Sequence, residues 1–374
     1  MAFGLFAASF FILFAGTGGA LAQAAATSGS LTPAAGAATV GIIAGTAGST
    51  GVRVASDLSR LLDENDHRVI PIIGKGSVQD IDDLLTLKAA DIAILQSDVM
   101  ARALAHGRPG LQPQLKYIAK LYSEEFYVLS RMQHLCLADL NGRRVNFGPK
   151  GSGAAITAEA VFEANDISPK AQYLEHEDAI ERLKRGELDA LVYVGSKESR
   201  AFDGVSHKDR VHFLDAEYLP ALQVNYLPAI IRPEDYPNLV APDESVGTIG
   251  VSYVMAVNAR PRPPERLRAV SRFVQRFLGS YRKLNSTGFS AKWAEVNLRA
   301  PVKGWQRFEP AETWLAANAG PQAGAEPQQS AARMKTMLQR FVENQKSASA
   351  DQEEFFNSFV LWYREHGAQA PQQW

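Results

Sequence analysis

Arg143-Arg144-Val145-Asn146-Phe147-Gly148-Pro149-Lys150-Gly151-Ser152-Gly153, running into Ala154-Ala155-Ile156-Thr157-Ala158-Glu159-Ala160-Val161-Phe162, reads as a short strand, a glycine-rich turn and a helix. Gly151 and Gly153 let the backbone turn tightly and approach a ligand with no Cβ in the way. The first-turn N–H groups of the helix then point into the turn unpaired, and the helix dipole adds partial positive charge there. Such a turn holds an anionic oxygen without any charged side chain, and Ser152 adds a hydroxyl. The competing reading is an ordinary strand-to-helix turn with Ser152 as its N-cap.

The chain carries a second copy of the pattern. Upstream, Thr39 to Gly51 again places Gly-x-x-Gly-Ser between a strand and a helix, so Gly45, Gly48 and Ser49 correspond to Gly148, Gly151 and Ser152. Each loop is followed by a helical run and an apolar strand: Val78 to Lys88 before Asp91–Leu95, and Ala179 to Arg185 before Leu188–Val194. Short apolar strands alternating with amphipathic helices predict an α/β fold with largely parallel sheets. Two such units, each aiming a helix N-terminus outward, predict two lobes closing on one ligand.

The expected strands are Val40–Ala44, Arg68–Ile73, Asp91–Leu95, Leu115–Lys120, Phe126–Arg131, Ala171–Tyr173, Ala190–Val194, Val211–Leu214 and Thr248–Val257. Phe126–Arg131 and Thr248–Val257 are placed to cross between the lobes as a two-strand hinge. Leu219 to Asp243, punctuated by proline, is left irregular, and Glu265 to Leu284 reads as one long amphipathic helix.

A chain of 374 residues suits two domains rather than one core. A net charge of −1 with no basic run argues against a nucleic-acid partner. The single cysteine, Cys136, excludes an internal disulfide, and its setting in Leu135-Cys136-Leu137 predicts a buried, inert thiol.

The N-terminus reads as an export signal: an apolar core Leu5–Phe14, then Ala20-Leu21-Ala22 as a small-x-small cleavage site. No Lys or Arg precedes Arg53, so the usual basic n-region is missing and an uncleaved anchor stays open. The expected organisation is a signal peptide over 1–22, a disordered leader over 23–38, a first lobe over 39–130 and 245–314, and a second lobe over 131–244. A linker over 315–330 and a helical C-terminal extension over 331–374 follow.

Catalytic motifs are missing. Ala154 and Ala155 stand where a phosphate-binding loop needs Lys and Ser or Thr. Gly45, Gly48 and Gly51 lack the dinucleotide spacing, and no nucleophile elbow or His-Glu-x-x-His pair occurs. Glu175-His176-Glu177-Asp178 reads as a solvated helix N-terminus rather than a metal site. The expectation is a binding protein with no cofactor, no metal and no enzymatic activity.

These residues resemble the TAXI solute receptors of TRAP transporters from about Val40 to Trp314. The likeness is carried by Gly45-Thr46-Ala47-Gly48-Ser49-Thr50-Gly51, Asp91-Ile92-Ala93-Ile94-Leu95-Gln96-Ser97-Asp98, Leu121-Tyr122, Asp139 to Gly153, and Gly186-Glu187-Leu188-Asp189-Ala190. The resemblance implies a two-lobed type II periplasmic binding protein fold that closes over a small organic anion, such as a glutamate-like amino acid or a dicarboxylate. It also implies a periplasmic, monomeric receptor that hands the ligand to a membrane permease. The chain departs from the family in Arg53 and Val54 (where tyrosines are usual), in Ala154, in Gly195-Ser196, and in the tail beyond Pro321.

The expected ligand-binding residues are Thr46, Gly48, Ser49, Arg53, Gln96, Ser97, Tyr122, Gly151, Ser152, Gly153 and Tyr193. Arg53 is either a bidentate partner for a second carboxylate or a solvent-facing helix residue. Tyr193 either covers the ligand or fills the second lobe's core. A ligand sensor, signalling through the C-terminal helices, is the alternative to a transport receptor.

Overall fold

The computed structural model describes residues 38–318 other than 65 and 106–109. The expected signal peptide and nearly all of the leader lie outside the described residues, as do the linker beyond Asn318 and the C-terminal extension with its signalling surface.

The chain runs β1 (Ala38–Ile43), α1 (Thr50–Leu62), β2 (His67–Ile72), α2 (Ser77–Thr86), β3 (Ile92–Gln96), α3 (Ser97–Ala105), a single turn α4 (Leu111–Gln114) and β4 (Leu115–Arg131). It continues through β5 (Arg144–Asn146), α5 (Gly153–Ala164), β6 (Lys170–Gln172), α6 (His176–Lys184), β7 (Ala190–Gly195), β8 (Val211–Phe213) and β9 (Tyr226–Ile231). β10 (Val246–Asn258), α7 (Pro264–Ser280) and α8 (Glu309–Ala317) complete it.

Among the described residues, all ten strands join one sheet, ordered β2-β1-β3-β10-β4-β7-β5-β6, with β8 on β4 and β9 on β10. β1, β2 and β3 pair in parallel in the first lobe, and β5, β6 and β7 do so in the second. The long strands β4 and β10 are antiparallel to each other and to every other strand they meet. The expectation of largely parallel sheets therefore holds only inside each lobe's βαβ units. A strand that leaves one lobe and a strand that returns must run in opposite senses.

The two strands expected at Leu115–Lys120 and Phe126–Arg131 are one strand, β4, 17 residues long. Lys120 pairs with Val254, Ser123 with Ser252 and Glu125 with Gly250, with a register shift between Ser252 and Val254. That irregular stretch of β4 and β10 is the two-strand hinge of a two-lobed type II periplasmic binding protein fold. β9 falls inside the segment left irregular from the sequence. Its Pro228 is tolerated because β9 is an edge strand, paired with β10 alone among the described residues.

Each lobe's sheet is covered on both faces. In the first lobe, Val40, Ile42 and Ile94 pack beneath α1 and α7 with Leu58, Phe273 and Phe277, while Ile43, Ala93 and Leu95 pack beneath α2 and α3. This double burial explains why β3 reads as an uninterrupted apolar run. In the second lobe, Val145, Val192, Phe147 and Phe162 form the core under α5, and Leu191, Tyr127 and Ile180 form the one under α6.

The expected buried thiol is a correction. Cys136 is exposed, because the chain after β4 enters a loop and a 3-10 turn, Leu137–Leu140, in which Leu137 and Leu140 take the core positions. The expected helix from Glu265 to Leu284 ends at Ser280 and continues as a 3-10 turn, Tyr281–Asn285.

Candidate functional site

Both glycine loops are built alike. Gly45 and Gly48 have φ of +79°, and Gly148 and Gly151 have φ of +84° and +79°, a region L-residues with a Cβ seldom occupy. Ser49 caps α1, accepting from the Val52 N–H at 3.4 Å and donating to the Ala44 carbonyl at 3.0 Å. Ser152 caps α5, accepting from the Ala155 N–H at 3.2 Å. Each serine thus serves the helix it precedes, as the capping reading expects. Thr46, Gly48 and Gly151 are exposed at the loop tips, while Ser49 and Ser152 are half-buried.

Gly51 has a packing role: a Cβ there would stand 2.4 Å from the Ala44 carbonyl oxygen, so glycine lets α1 sit hard against the end of β1. Gly153 does the same between lobes. A Cβ on it would stand 1.3 Å from Gln96 Oε1 and 2.7 Å from Ser77 Oγ. The N-terminus of α5 therefore lies against the end of β3 and the start of α2. Gln96 is buried, and its Oε1 accepts from Ser77 Oγ at 2.9 Å. This brings two expected site residues from different lobes, Gln96 and Gly153, into contact.

Next to Gln96, Ser97 Oγ is buried with no hydrogen-bond partner among the described residues, and the same holds for the Tyr122 hydroxyl. Tyr253 is the register partner of Gln96, and its ring stacks on Tyr122 with centroids 4.9 Å apart and planes at 18°. Gln96, Tyr253 and Tyr122 thus lie side by side on three adjacent strands, at the hinge end of the first lobe's sheet.

Arg53 is exposed on the first turn of α1, where its Nη2 donates to Thr50 Oγ1 at 3.2 Å. Its positive field reaches the Tyr122 hydroxyl and Glu124 on β4, and the Tyr193 hydroxyl in the second lobe. Burial pushes the Tyr122 phenol well above its ordinary range, with Glu124 adding to the rise and Arg53 opposing it. Burial likewise raises the Tyr193 phenol, against the Ser199 hydroxyl and Arg53.

Tyr193 lies at the margin of the second lobe's core. Its ring packs on His176 (4.5 Å between centroids), Phe202 (5.7 Å) and Tyr127 (6.1 Å), yet it stays partly exposed. A Cβ on Gly195 would stand 2.3 Å from that ring, so Gly195 gives it room to lie flat. His176 is not the solvated residue expected. It opens α6, packs on Tyr193 and lies 2.8 Å through Nε2 from the Ala201 carbonyl oxygen, while Glu175, Glu177 and Asp178 face solvent. Burial lowers the His176 pKa, partly offset by that carbonyl and by Glu177.

The acids of the hinge are not among the expected site residues. Glu124 is 5% exposed, and burial raises its carboxyl pKa against hydrogen bonds from the Thr50 and Tyr253 hydroxyls. Two consecutive glutamates inside an apolar strand were the available signal. Beside Glu124 on β4, the backbone of Ser123 is held by two side chains of the 3-10 turn Ala291–Glu295. Its N–H donates to Glu295 Oε2 at 3.0 Å, and its carbonyl accepts from Lys292 Nζ at 2.7 Å. Lys292 also donates to Glu295 Oε1 at 2.7 Å.

A cavity of about 590 Å³ opens in the second lobe beside Leu137, Ile167, Ala216 and Pro228, and none of the expected site residues lines it. Among the described residues, no helix is long and apolar enough to cross a membrane.

A model of the NMT1-like family matches residues 42–272, more than half of the chain. Among solved structures, the periplasmic binding protein BugD is 11% identical, covers 75% of this chain and 95% of its own, and has a TM-score of 0.46. The alkanesulfonate-binding protein SsuA from Xanthomonas axonopodis pv. citri, bound to MOPS, is 15% identical over 75% of this chain and 83% of its own, with a TM-score of 0.41. An ancestral arginine-binding protein bound to arginine is 16% identical over 68% of this chain and 99% of its own, with a TM-score of 0.39. These likenesses are distant, and no ligand is carried over from them. The family match spans both glycine loops and both hinge strands, and the chain belongs to the NMT1-like family.

Proposed function

We propose that this chain is the extracytoplasmic, periplasmic and monomeric solute receptor of a TRAP-type secondary transporter. It captures a small organic anion, a glutamate-like amino acid or a dicarboxylate, between its lobes and delivers it to the membrane permease. The observation that carries this reading is the position of Arg53, an exposed guanidinium whose field reaches Tyr122 at the hinge and Tyr193 in the second lobe. A guanidinium pairs with a carboxylate through two parallel hydrogen bonds. The capped N-termini of α1 and α5 offer further N–H donors to an anion. Ser97, Tyr122 and Gln96 supply hydroxyl and amide groups, and Tyr193 covers the carbon skeleton.

Native mass spectrometry of freshly purified protein identifies what is carried through purification. Calorimetry with L-glutamate, L-glutamine and succinate then ranks the anions. A cationic or uncharged co-purifying species, together with no heat from any of the three, would sink the anion reading. Co-purification of the detergent-solubilised permease tests the delivery step separately.

A further inference from the structure

Asp98, in the first turn of α3, is 3% exposed and belongs to the first lobe, yet its carboxylate is held by the second. Thr157 Oγ1 on α5 lies 2.6 Å from Asp98 Oδ2, and the Tyr226 hydroxyl on β9 donates to the same oxygen at 3.0 Å. Further along the same two helices, Arg102 pairs with Glu159 at 2.6 Å. α3 and α5 therefore form a polar seam beside the contact of Gln96 with Gly153.

The protons in this seam can be counted. Thr157 Oγ1 is within hydrogen-bond distance of two acceptors, Asp98 Oδ2 at 2.6 Å and the Gly153 carbonyl at 3.0 Å. A hydroxyl has one proton to give. With Asp98 ionised, Thr157 donates to Oδ2 and the Gly153 carbonyl keeps the intrahelical N–H of Thr157, so a full charge is held in a buried seam. With a proton on Oδ2, Asp98 donates to Thr157, Thr157 donates to Gly153, Tyr226 donates to Asp98, and Oδ1 keeps the Val99 N–H at 2.8 Å. Both states satisfy the hydrogen bonds, but only the protonated one leaves no charge buried between the lobes, and its chain ends on the glycine that touches Gln96.

We infer that Asp98 is a proton-carrying latch between the lobes, engaged with Thr157 and Tyr226 when protonated and released when ionised. The groups facing it are Tyr226 from β9, Thr157 from α5 and Tyr253 from β10, whose phenol is raised in part by Asp98. Arg102, on its own helix, is committed to Glu159 of α5. Burial raises the Asp98 carboxyl pKa, against the hydrogen bonds from Thr157, Tyr226 and the Val99 N–H. An aspartate released to water returns to about 3.9. The engaged state then binds the proton more tightly, so engagement is complete below the ordinary carboxylate range. It is lost as pH rises through the raised value.

The test uses the ligand-free full chain and its single cysteine. Cys136, exposed in the second lobe, takes one spin label, and Lys88→Cys, exposed in the first, takes the other. Electron–electron distances are measured between about pH 4 and pH 8, with thermal unfolding confirming that each variant folds. The wild type is expected to shift to longer distances as pH rises. Asp98→Asn, an uncharged isostere that still donates to Thr157, should stay short at every pH. Thr157→Val and Tyr226→Phe, which leave the first lobe intact, should favour longer distances even at low pH. A wild-type distance independent of pH, or an Asp98→Asn protein as open as the wild type at high pH, would overturn the latch.

Discussion

Arg53 carries the sharpest expectation at the scale of a single residue. The one described hydrogen bond of its side chain is to Thr50 Oγ1 at 3.2 Å, so most of its five guanidinium donors are available to a ligand. Arg53→Ala should lower affinity for a dicarboxylate such as succinate by about 1.5–3 kcal/mol, the worth of a hydrogen bond to a charged group. A monocarboxylate of equal size should lose much less. Calorimetry with such a pair decides it, and equal losses would leave Arg53 a helix-surface residue. Tyr193 behaves differently because its ring belongs to the cluster with His176, Phe202 and Tyr127. Tyr193→Ala should cost the unliganded protein about 1–2 kcal/mol, less than a fully buried aromatic because the ring is partly exposed. Tyr193→Phe should restore the melting temperature while affinity stays reduced if the hydroxyl meets the ligand.

At the scale of elements, the junction of α5 with β3 can be tested by adding one methyl group. Gly153 does not have a positive φ, so alanine suits its own helix and should stabilise it by up to about 1 kcal/mol. The obstruction lies across the lobes, where the new Cβ would stand 1.3 Å from Gln96 Oε1. Gly153→Ala should therefore leave the melting temperature unchanged or slightly higher while the radius of gyration by small-angle scattering rises. Adding Gln96→Ala removes the amide in the way and should bring the radius back down. An unchanged radius in the single variant would mean that the loop yields and the lobes stay engaged.

For the whole molecule, acid sensitivity has an identifiable source at the start of β2. His67 is fully buried, and neither ring nitrogen has a hydrogen-bond partner among the described residues. Burial lowers its pKa, with the charges of Arg276 and Arg272 lowering it further against Asp66 and Asp63. A histidine whose folded pKa lies below its unfolded value stabilises the fold fully above about 6.5. That stability is lost as pH falls towards the folded value, because the unfolded chain takes up the proton first. The melting temperature should drop as the buffer is acidified from about pH 7 to pH 5. In His67→Phe that part of the drop should disappear, and a variant with the wild-type slope would assign the sensitivity elsewhere.

The duplicated Gly-x-x-Gly-Ser turns were legible in the sequence because a left-handed backbone and a helix cap are local requirements. Gly45, Gly48 and Ser49, like Gly148, Gly151 and Ser152, meet them with residues close together in the chain. The alternation of apolar strands with amphipathic helices followed from periodicity, which is likewise local, and the order of the strands along the chain placed two of them to cross between the lobes. Pro228 hid β9, since a proline argues against a strand until its neighbour is known, and only the sheet shows that β9 has an edge to spare. Cys136 sat in an apolar run of which only Leu137 went inward, while Leu135 and the thiol stayed exposed. The pairing of Gln96 with Gly153, of Asp98 with Thr157 and Tyr226, and of Lys292 with the backbone of Ser123 spans from 57 to 169 residues of chain. Such contacts depend on how the lobes and the last helical turns pack, and no local pattern encodes which distant group a buried carboxyl or amide will meet.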